Sequence, residues 1–438
     1  MIITRFAPSP TGTLHIGSVR TILFNYLFAK RFNGKFKLRI EDTDKERSKT
    51  EYNQNIFNTL KNLGLNYDDE VVYQSNNIKR HQEVAYELLK NGKAYKCYCT
   101  QEELEKERAE LVEKKQTPTY SKKCRNLTKK INKPFTIRLK VEEEGRTECI
   151  DLIQGVCGVD NKYLDDMILL RSDSTPTYML AVVVDDHDMQ ISHVIRGSEH
   201  LNNAYRQIQI YKACGWKIPE FAHVSLIHAE NGEKLSKRTG AKSVEEYQEE
   251  GFTKEAILNY LLRLGWSYGT EEIISIEEAI KIFDIKDVRS SAARFSLDKL
   301  ISINSFYTKS MKNEEIIELL KKTKTEYSQK GWARVEKGMN GIKQRSRTIE
   351  EISLMCDMYG IDDFHGSIKS DENVYKLIQY AKVNPWNNVE IWLKNFVVEN
   401  NIKLKDIAPL VRKAITDSDV SPSIYEIIEI LGREIFCK

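Results

Sequence analysis

No stretch of the 438-residue chain runs to about 18 consecutive apolar residues, which excludes a membrane-spanning helix. Net charge is also scarce. Lys and Arg number 67 against 64 Asp and Glu, leaving +3 at pH 7. The field of the whole chain therefore gives nucleic acid no special attraction, and any RNA contact must come from local patches. Internal repeats and low-complexity tracts are missing, so a solenoid array is set aside. Features of secretion are missing too, and eight cysteines in a chain this long read as reduced cytosolic thiols rather than a disulfide frame. No cleaved leader is expected, because an apolar strand that feeds a motif begins at Ile2. What is present, 41% hydrophobic residues and 30% charged, suits sizeable cores under a polar surface, in roughly two to four domains.

Two short signatures carry phosphate chemistry. Residues 5–18 read RFAPSPTGTLHIGS and residues 234–238 read KLSKR. An apolar strand over 2–7 enters a Pro/Gly turn, and His15-Ile16-Gly17 opens a helix running to about residue 31. A helix N-terminus presents free N–H groups and a positive dipole end to an anion. Gly17 lets backbone approach such a ligand, and His15 adds a donor without permanent charge. Lys234 and Lys237 flank Ser236 in a polar loop after a second apolar strand, where flexible ammonium groups can follow a migrating pyrophosphate. Each motif alone arises by chance. Together, in this order, they point to ATP-dependent activation.

The pattern around them is α/β. Strand 2–7, helix 16–31 and strand 35–40 make a right-handed parallel unit, with Glu41 at the carboxyl end where ligands sit. Helical periodicity covers 51–63 and 78–91. From about residue 95 a charged helix (102–114), a basic stretch and strands at 134–141 and 167–171 read as an insertion. The core resumes at 176–186 with the apolar run 180–184, then strands 192–196 and 222–228 around a helix at 199–214. Asp185-Asp186-His187-Asp188 reads as a strand-end and helix-cap cluster rather than a metal site. Beyond residue 240 apolar residues recur at helical spacing, at 253–264, 276–283, 314–322, 348–359, 374–382, 389–399, 404–416 and 423–436. The expected architecture is a Rossmann-like parallel-sheet core (1–75 and 176–240), an inserted α+β domain (76–175), a helical region (241–310) and an all-α domain (311–438).

These blocks, with LRIEDTDKERS (38–48), PTYMLAVVVDDHDM (176–189), HVIRGSEHLNN (193–203) and GEKLSKR (232–238), resemble the class I glutamyl-tRNA synthetases of bacterial type. The resemblance spans the catalytic core and fades in the helical tail, with KQRSRT (343–348) its last echo. It implies that glutamate attacks ATP, with Mg²⁺ on the phosphates, to give glutamyl-adenylate, and that a terminal adenosine hydroxyl of tRNA takes the glutamyl group. His15 would serve the reacting phosphate, and Lys234 and Lys237 the leaving pyrophosphate. Arg5 and Arg196 would meet glutamate carboxylates, helped by Ser9 and Tyr178, while Glu41 meets the ammonium. Thr11, Gly17, Glu199 and Ser236 would line the nucleotide site. The resemblance further implies an acceptor-stem contact from the insertion, a stem contact from 241–310, an anticodon contact from 311–438, a cytoplasmic monomer and no membrane partner. It leaves open whether the glutamine tRNA is charged besides the glutamate tRNA. One departure is Ser174, where the family usually has Gly; a positive φ there would strain a serine, so the turn is expected to differ.

Cys97, Cys99, Tyr120 and Cys124 resemble the zinc knuckle of some family members, with no His nearby and Asn126 where a ligand could stand. A structural zinc, with Tyr120 as fourth ligand, and a metal-free reduced loop both stand open. Residues 121–133 hold Lys122, Lys123, Arg125, Lys129, Lys130 and Lys133 with no acid, and 321–347 hold nine basic residues against Glu326 and Glu336. Such stretches suit phosphate contacts. The other readings are a tRNA-modifying paralogue and a non-catalytic RNA-binding protein; a helical tail of roughly this size and an intact motif set weigh against both.

Overall fold

The computed structural model describes residues 1–438 except 44–49, 116–118, 130, 236–241, 363–371, 385, 387, 417 and 438. It divides into two units, Met1–Val244 with Leu258–Ser296, and Glu245–Ile257 with Leu297–Lys438.

In the first unit, strands Ile3–Phe6, Lys35–Ile40 and Val72–Tyr73 pair in parallel with Lys35–Ile40 in the middle. Strands His193–Gly197 and Glu220–Val224 pair in parallel on the other side. Ser192 joins the two halves: its N–H donates to the Ile3 carbonyl at 3.0 Å, and its Oγ accepts from the Ile3 N–H at 2.7 Å. The chain thus winds one way from Ile3–Phe6 and the other way from His193–Gly197. That reversal is a topological switch point, where the carboxyl ends of adjacent strands leave a crevice. Helix Ile16–Arg31 covers it. Its Ile16, Val19, Ile22, Leu23 and Leu27 are buried, and Asn25 donates to the Ile195 carbonyl at 3.0 Å.

The 76–175 stretch contributes strands to two sheets. Strands Ala94–Cys97, Thr136–Leu139 and Ile168–Leu170 form an antiparallel sheet of their own. The hairpin Arg146–Asp151 and Gly155–Asp160, which periodicity did not signal, extends the core sheet instead, with Asp151 registered on Phe221. Another difference concerns 180–184. Burial on every side makes its apolar run uninformative about period, and it lies inside helix Tyr178–Asp188. Asp185–Asp188 is therefore the last turn of that helix, not a strand end.

The second unit is helical. From Leu297 on, the described residues form eight helices, Leu297–Ser310, Asn313–Lys321, Gln329–Arg345, Ile349–Gly360, Glu372–Val383, Val389–Glu399, Leu404–Thr416 and Ile424–Phe436. All but the first contribute to a core that includes Val335, Met339, Ile352, Leu377, Leu393, Ile407 and Ile428. Leu297–Ser310 and Gln329–Arg345 fall in stretches expected to be helical, although the periodicity singled out neither. No helix among the described residues is long and apolar enough to cross a membrane.

Candidate active site

A cavity of about 450 Å³ opens at the switch point. Its walls include Arg5, Ser9, Thr11, His15, Gly17, Glu41, Tyr178, Arg196, Glu199 and Lys234. Ser236 and Lys237 lie outside the described residues. Every other residue expected to handle glutamate or ATP is thus brought to one cavity.

His15 is the N-cap of helix Ile16–Arg31, and its Nδ1 accepts the Ser18 N–H at 3.2 Å. That bond puts the ring proton on Nε2, where the Ser18 Oγ lies 3.3 Å away. A Cβ on Gly17 would press on the His15 ring at 3.0 Å. Gly17 thus makes room for the histidine as well as for a ligand. The turn ahead of the helix is tied to the next strand, with the Glu41 N–H donating to the Pro8 carbonyl at 2.9 Å. Lys234 stands where a short bridge pairs it with His228.

The charged floor is layered. Arg5 donates to Asp186 through Nε at 3.1 Å and Nη2 at 3.3 Å. Arg39, fully buried, donates to Asp186 at 2.5 Å and to Glu41 at 3.0 Å. Burial alone would push the Asp186 carboxyl up, but Arg39 and Arg5 hold it below the usual carboxylate range. Burial wins at Glu41, whose carboxyl is raised despite Arg39 and Arg5. Arg5 thus pairs with Asp186 rather than with the nearby Asp42 or Asp185. Asp42 instead caps Ser75, and Asp185 accepts from Gln74, Asn77 and His81 at 2.8–2.9 Å.

Arg196 differs. Its Nε donates to His223 Nε2 at 3.1 Å and its Nη2 to the His200 carbonyl at 3.2 Å, while its buried Nη1 has no partner. Glu199 packs against Gly197, where a Cβ would sit 2.2 Å from its Oε2. Tyr178 begins its helix at the cavity edge. Arg39, Asp151 and His223 were missed by the sequence reading. The one available signal was a histidine inside the apolar strand around Ala222 and Val224.

Away from the cavity, the sulfurs of Cys97, Cys99 and Cys124 lie within 4.8 Å of one another. The Tyr120 hydroxyl is 3.3 Å from Cys97 Sγ and 3.6 Å from Cys99 Sγ. Burial pushes the Cys99 thiol up to about 12. The serine at 174 does take the left-handed turn, at φ +66°, so the turn is kept. The basic stretches are thinner than their sequence suggests. Lys122 pairs with Glu143, Lys123 with Glu103 and Arg125 with buried Asp166.

Residues 1–302 match the family model for the catalytic domain of class I tRNA synthetases (E and Q), and residues 315–438 match an anticodon binding domain. A glutamate–tRNA ligase 2 of Paramagnetospirillum magneticum is 45% identical, over 99% of this chain and 95% of that protein. The glutamate–tRNA ligase 2 of Rickettsia bellii is 44% identical, over 100% and 98%. A crystal structure of a glutamate tRNA ligase from Elizabethkingia meningosepticum, in complex with its amino acid, superposes with a TM-score of 0.87 at 29% identity, covering 100% of this chain and 97% of that one.

Proposed function

The chain belongs to the class I glutamate–tRNA ligases, and we propose that the switch-point cavity is where glutamate and ATP react. The observation that carries this is the unpartnered Nη1 of Arg196, a buried guanidinium nitrogen at the wall of a cavity that also holds the His15 helix start. A buried cation without an anion is costly, and a substrate carboxylate supplies one. Arg5 adds a second guanidinium, and Glu41 receives the glutamate ammonium, which would favour its charged form.

In the first step the α-carboxylate oxygen of glutamate attacks the α-phosphorus of ATP, and the bond to the β,γ-pyrophosphate breaks. His15 Nε2–H and the N-terminal amides of helix Ile16–Arg31 stabilise the equatorial oxygens of the pentavalent centre. Lys234 and Lys237 take the leaving pyrophosphate, and Mg²⁺ accompanies the phosphates. Ser9 and Tyr178 flank the amino acid, and Thr11, Gly17, Glu199 and Ser236 the nucleotide. In the second step the terminal adenosine hydroxyl of tRNA attacks the mixed anhydride, and AMP leaves. The insertion 76–175 and the region 241–310 contact the stem, and 311–438 the anticodon arm, in a cytoplasmic monomer.

The thiol cluster fits a structural zinc. Tetrahedral zinc with bonds of about 2.3 Å spaces its thiolates about 3.8 Å apart, and Cys99 and Cys124 stand 3.6 Å apart. Cys97, Cys99, Cys124 and Tyr120 would hold the ion, which would brace the loop without entering the reaction.

Charging of purified glutamate and glutamine tRNAs with labelled glutamate tests the proposal, with Lys237→Ala as control. Charging of glutamate tRNA, lost in the variant, is expected. Charging of the glutamine tRNA as well would mean relaxed anticodon reading. No charging of either by folded protein would sink the reading and favour a modifying or regulatory paralogue.

A further inference from the structure

Two buried residues outside every motif stand behind Arg196. The side chains of Asp151 and His223 are both fully buried, on neighbouring strands of the sheet. Asp151 Oδ2 lies 2.6 Å from His223 Nδ1. Its Oδ1 accepts the Ile153 and Gln154 N–H groups at 2.9 and 2.8 Å. A carboxylate so engaged is an acceptor, so the proton between the pair sits on Nδ1. The other side of the ring gives the same answer independently. Arginine has no acceptor, so its Nε must donate to an unprotonated His223 Nε2. The tautomer is fixed from both directions, as in a carboxylate–histidine pair that orients a third group.

The chemistry of this support differs from that of Arg5. Asp186 bonds Arg5 directly and cancels much of its charge. Arg196 is held by a neutral imidazole and a carbonyl, with the nearest supporting carboxylate one ring away. Phe221 lies 5.7 Å beneath its guanidinium and stacks on His223. Two of the three guanidinium nitrogens are thereby pinned, and Nη1 is left over.

We propose that Asp151 and His223 are positioning residues that hold the Arg196 guanidinium in one orientation without cancelling its charge, and so set the affinity for glutamate and its preference over glutamine. This rests on the reading that Arg196 meets a substrate carboxylate. A direct carboxylate partner would hold the guanidinium equally well but repel the substrate's own. A loosely held one would bind glutamate and glutamine more evenly, because discrimination needs a site that cannot rearrange around the neutral amide.

The test is steady-state aminoacylation by the full chain with tRNA, measuring KM for glutamate, KM for ATP and kcat. Four variants are needed, Arg196→Ala, His223→Leu, His223→Gln and His223→Asn. A glutamine side chain reaches the place of Nε2 with an acceptor oxygen, whereas asparagine reaches only the place of Nδ1. Arg196→Ala, His223→Leu and His223→Asn should raise KM for glutamate about tenfold or more, with KM for ATP unchanged within about twofold. His223→Gln should stay near the parent value. Should His223→Leu fail to fold, the Gln and Asn pair decides alone. Equal KM values for Gln and Asn, or a folded Leu variant with the parent's KM, would overturn the proposal while a raised KM in Arg196→Ala keeps the carboxylate reading. An unchanged KM in Arg196→Ala would overturn both.

Discussion

Gly197 separates packing from function at a single residue. A Cβ there would lie 2.2 Å from Glu199 Oε2, the far end of a flexible side chain. Glu199 can swing away, so Gly197→Ala should cost under about 1 kcal/mol in a melt yet displace a carboxylate from the cavity wall. KM for ATP is expected to rise several-fold, about fivefold or more. His223 offers a pH test. Burial holds its imidazole below the ordinary 6.5, although Asp151 pulls the other way. Arg196 and Asp151 face it from the flanking strands and His200 from the turn ahead of the next helix. Protonation would turn its Nε2 acceptor into a donor against Arg196. KM for glutamate should therefore stay flat above about 6.5 and rise on the acid side, and His223→Gln should lack that rise. Single residues were legible where they sat in a motif, as His15 and Arg196 did. Asp151 and His223 were not, because a buried pair formed across a sheet leaves only an isolated histidine in an apolar strand.

Helix Gln329–Arg345 shows the limit of periodicity at the level of elements. Gly331, Gly338 and Gly341 weaken its helical signal, yet all three sit in close contacts, Gly341 against the flexible Glu426 carboxylate. A Cβ would meet the Gly360 carbonyl oxygen at 2.3 Å from Gly331 and the Tyr359 ring at 2.1 Å from Gly338. Tyr359 is fully buried, so Gly338→Ala should destabilise the protein by about 1–3 kcal/mol, read by chemical denaturation. The cysteine loop is the reverse case. Its four side chains were legible through the resemblance to a zinc knuckle, and they do meet, with the Tyr120 hydroxyl against Cys97 Sγ and the Cys124 N–H. Metal analysis of protein purified without chelator should find about one zinc per chain. Cys124→Ser should lose it while KM for glutamate holds, since none of the four lines the cavity.

For the whole molecule, net charge and local windows both mislead about RNA. Of the seven-charge excess counted over 321–347, three charges are met by acids from outside the stretch. Lys324 pairs with Asp357, Arg334 with Asp362, Arg347 with Glu351 and Lys321 with Glu336. Lys322, Lys330 and Lys337 remain exposed. Alanine at Lys330 and Lys337 together should lower the salt slope of tRNA binding by about two, whereas alanine at Lys324 should leave it unchanged. The α/β core, the parallel strand–helix–strand unit around the first motif and the helical tail were legible because period and turn chemistry agree there. The hairpin Arg146–Asp160 joining the core sheet was not, since pairing partners far apart in sequence leave no local trace.

The most direct measurement is a crystal structure with a non-hydrolysable glutamyl-adenylate analogue. The analogue should lie in the switch-point cavity with its glutamyl carboxylate on Arg196 Nη1 and its phosphate at His15 and the start of helix Ile16–Arg31. A carboxylate bound elsewhere, with Nη1 still unpartnered, would contradict the assignment of this site.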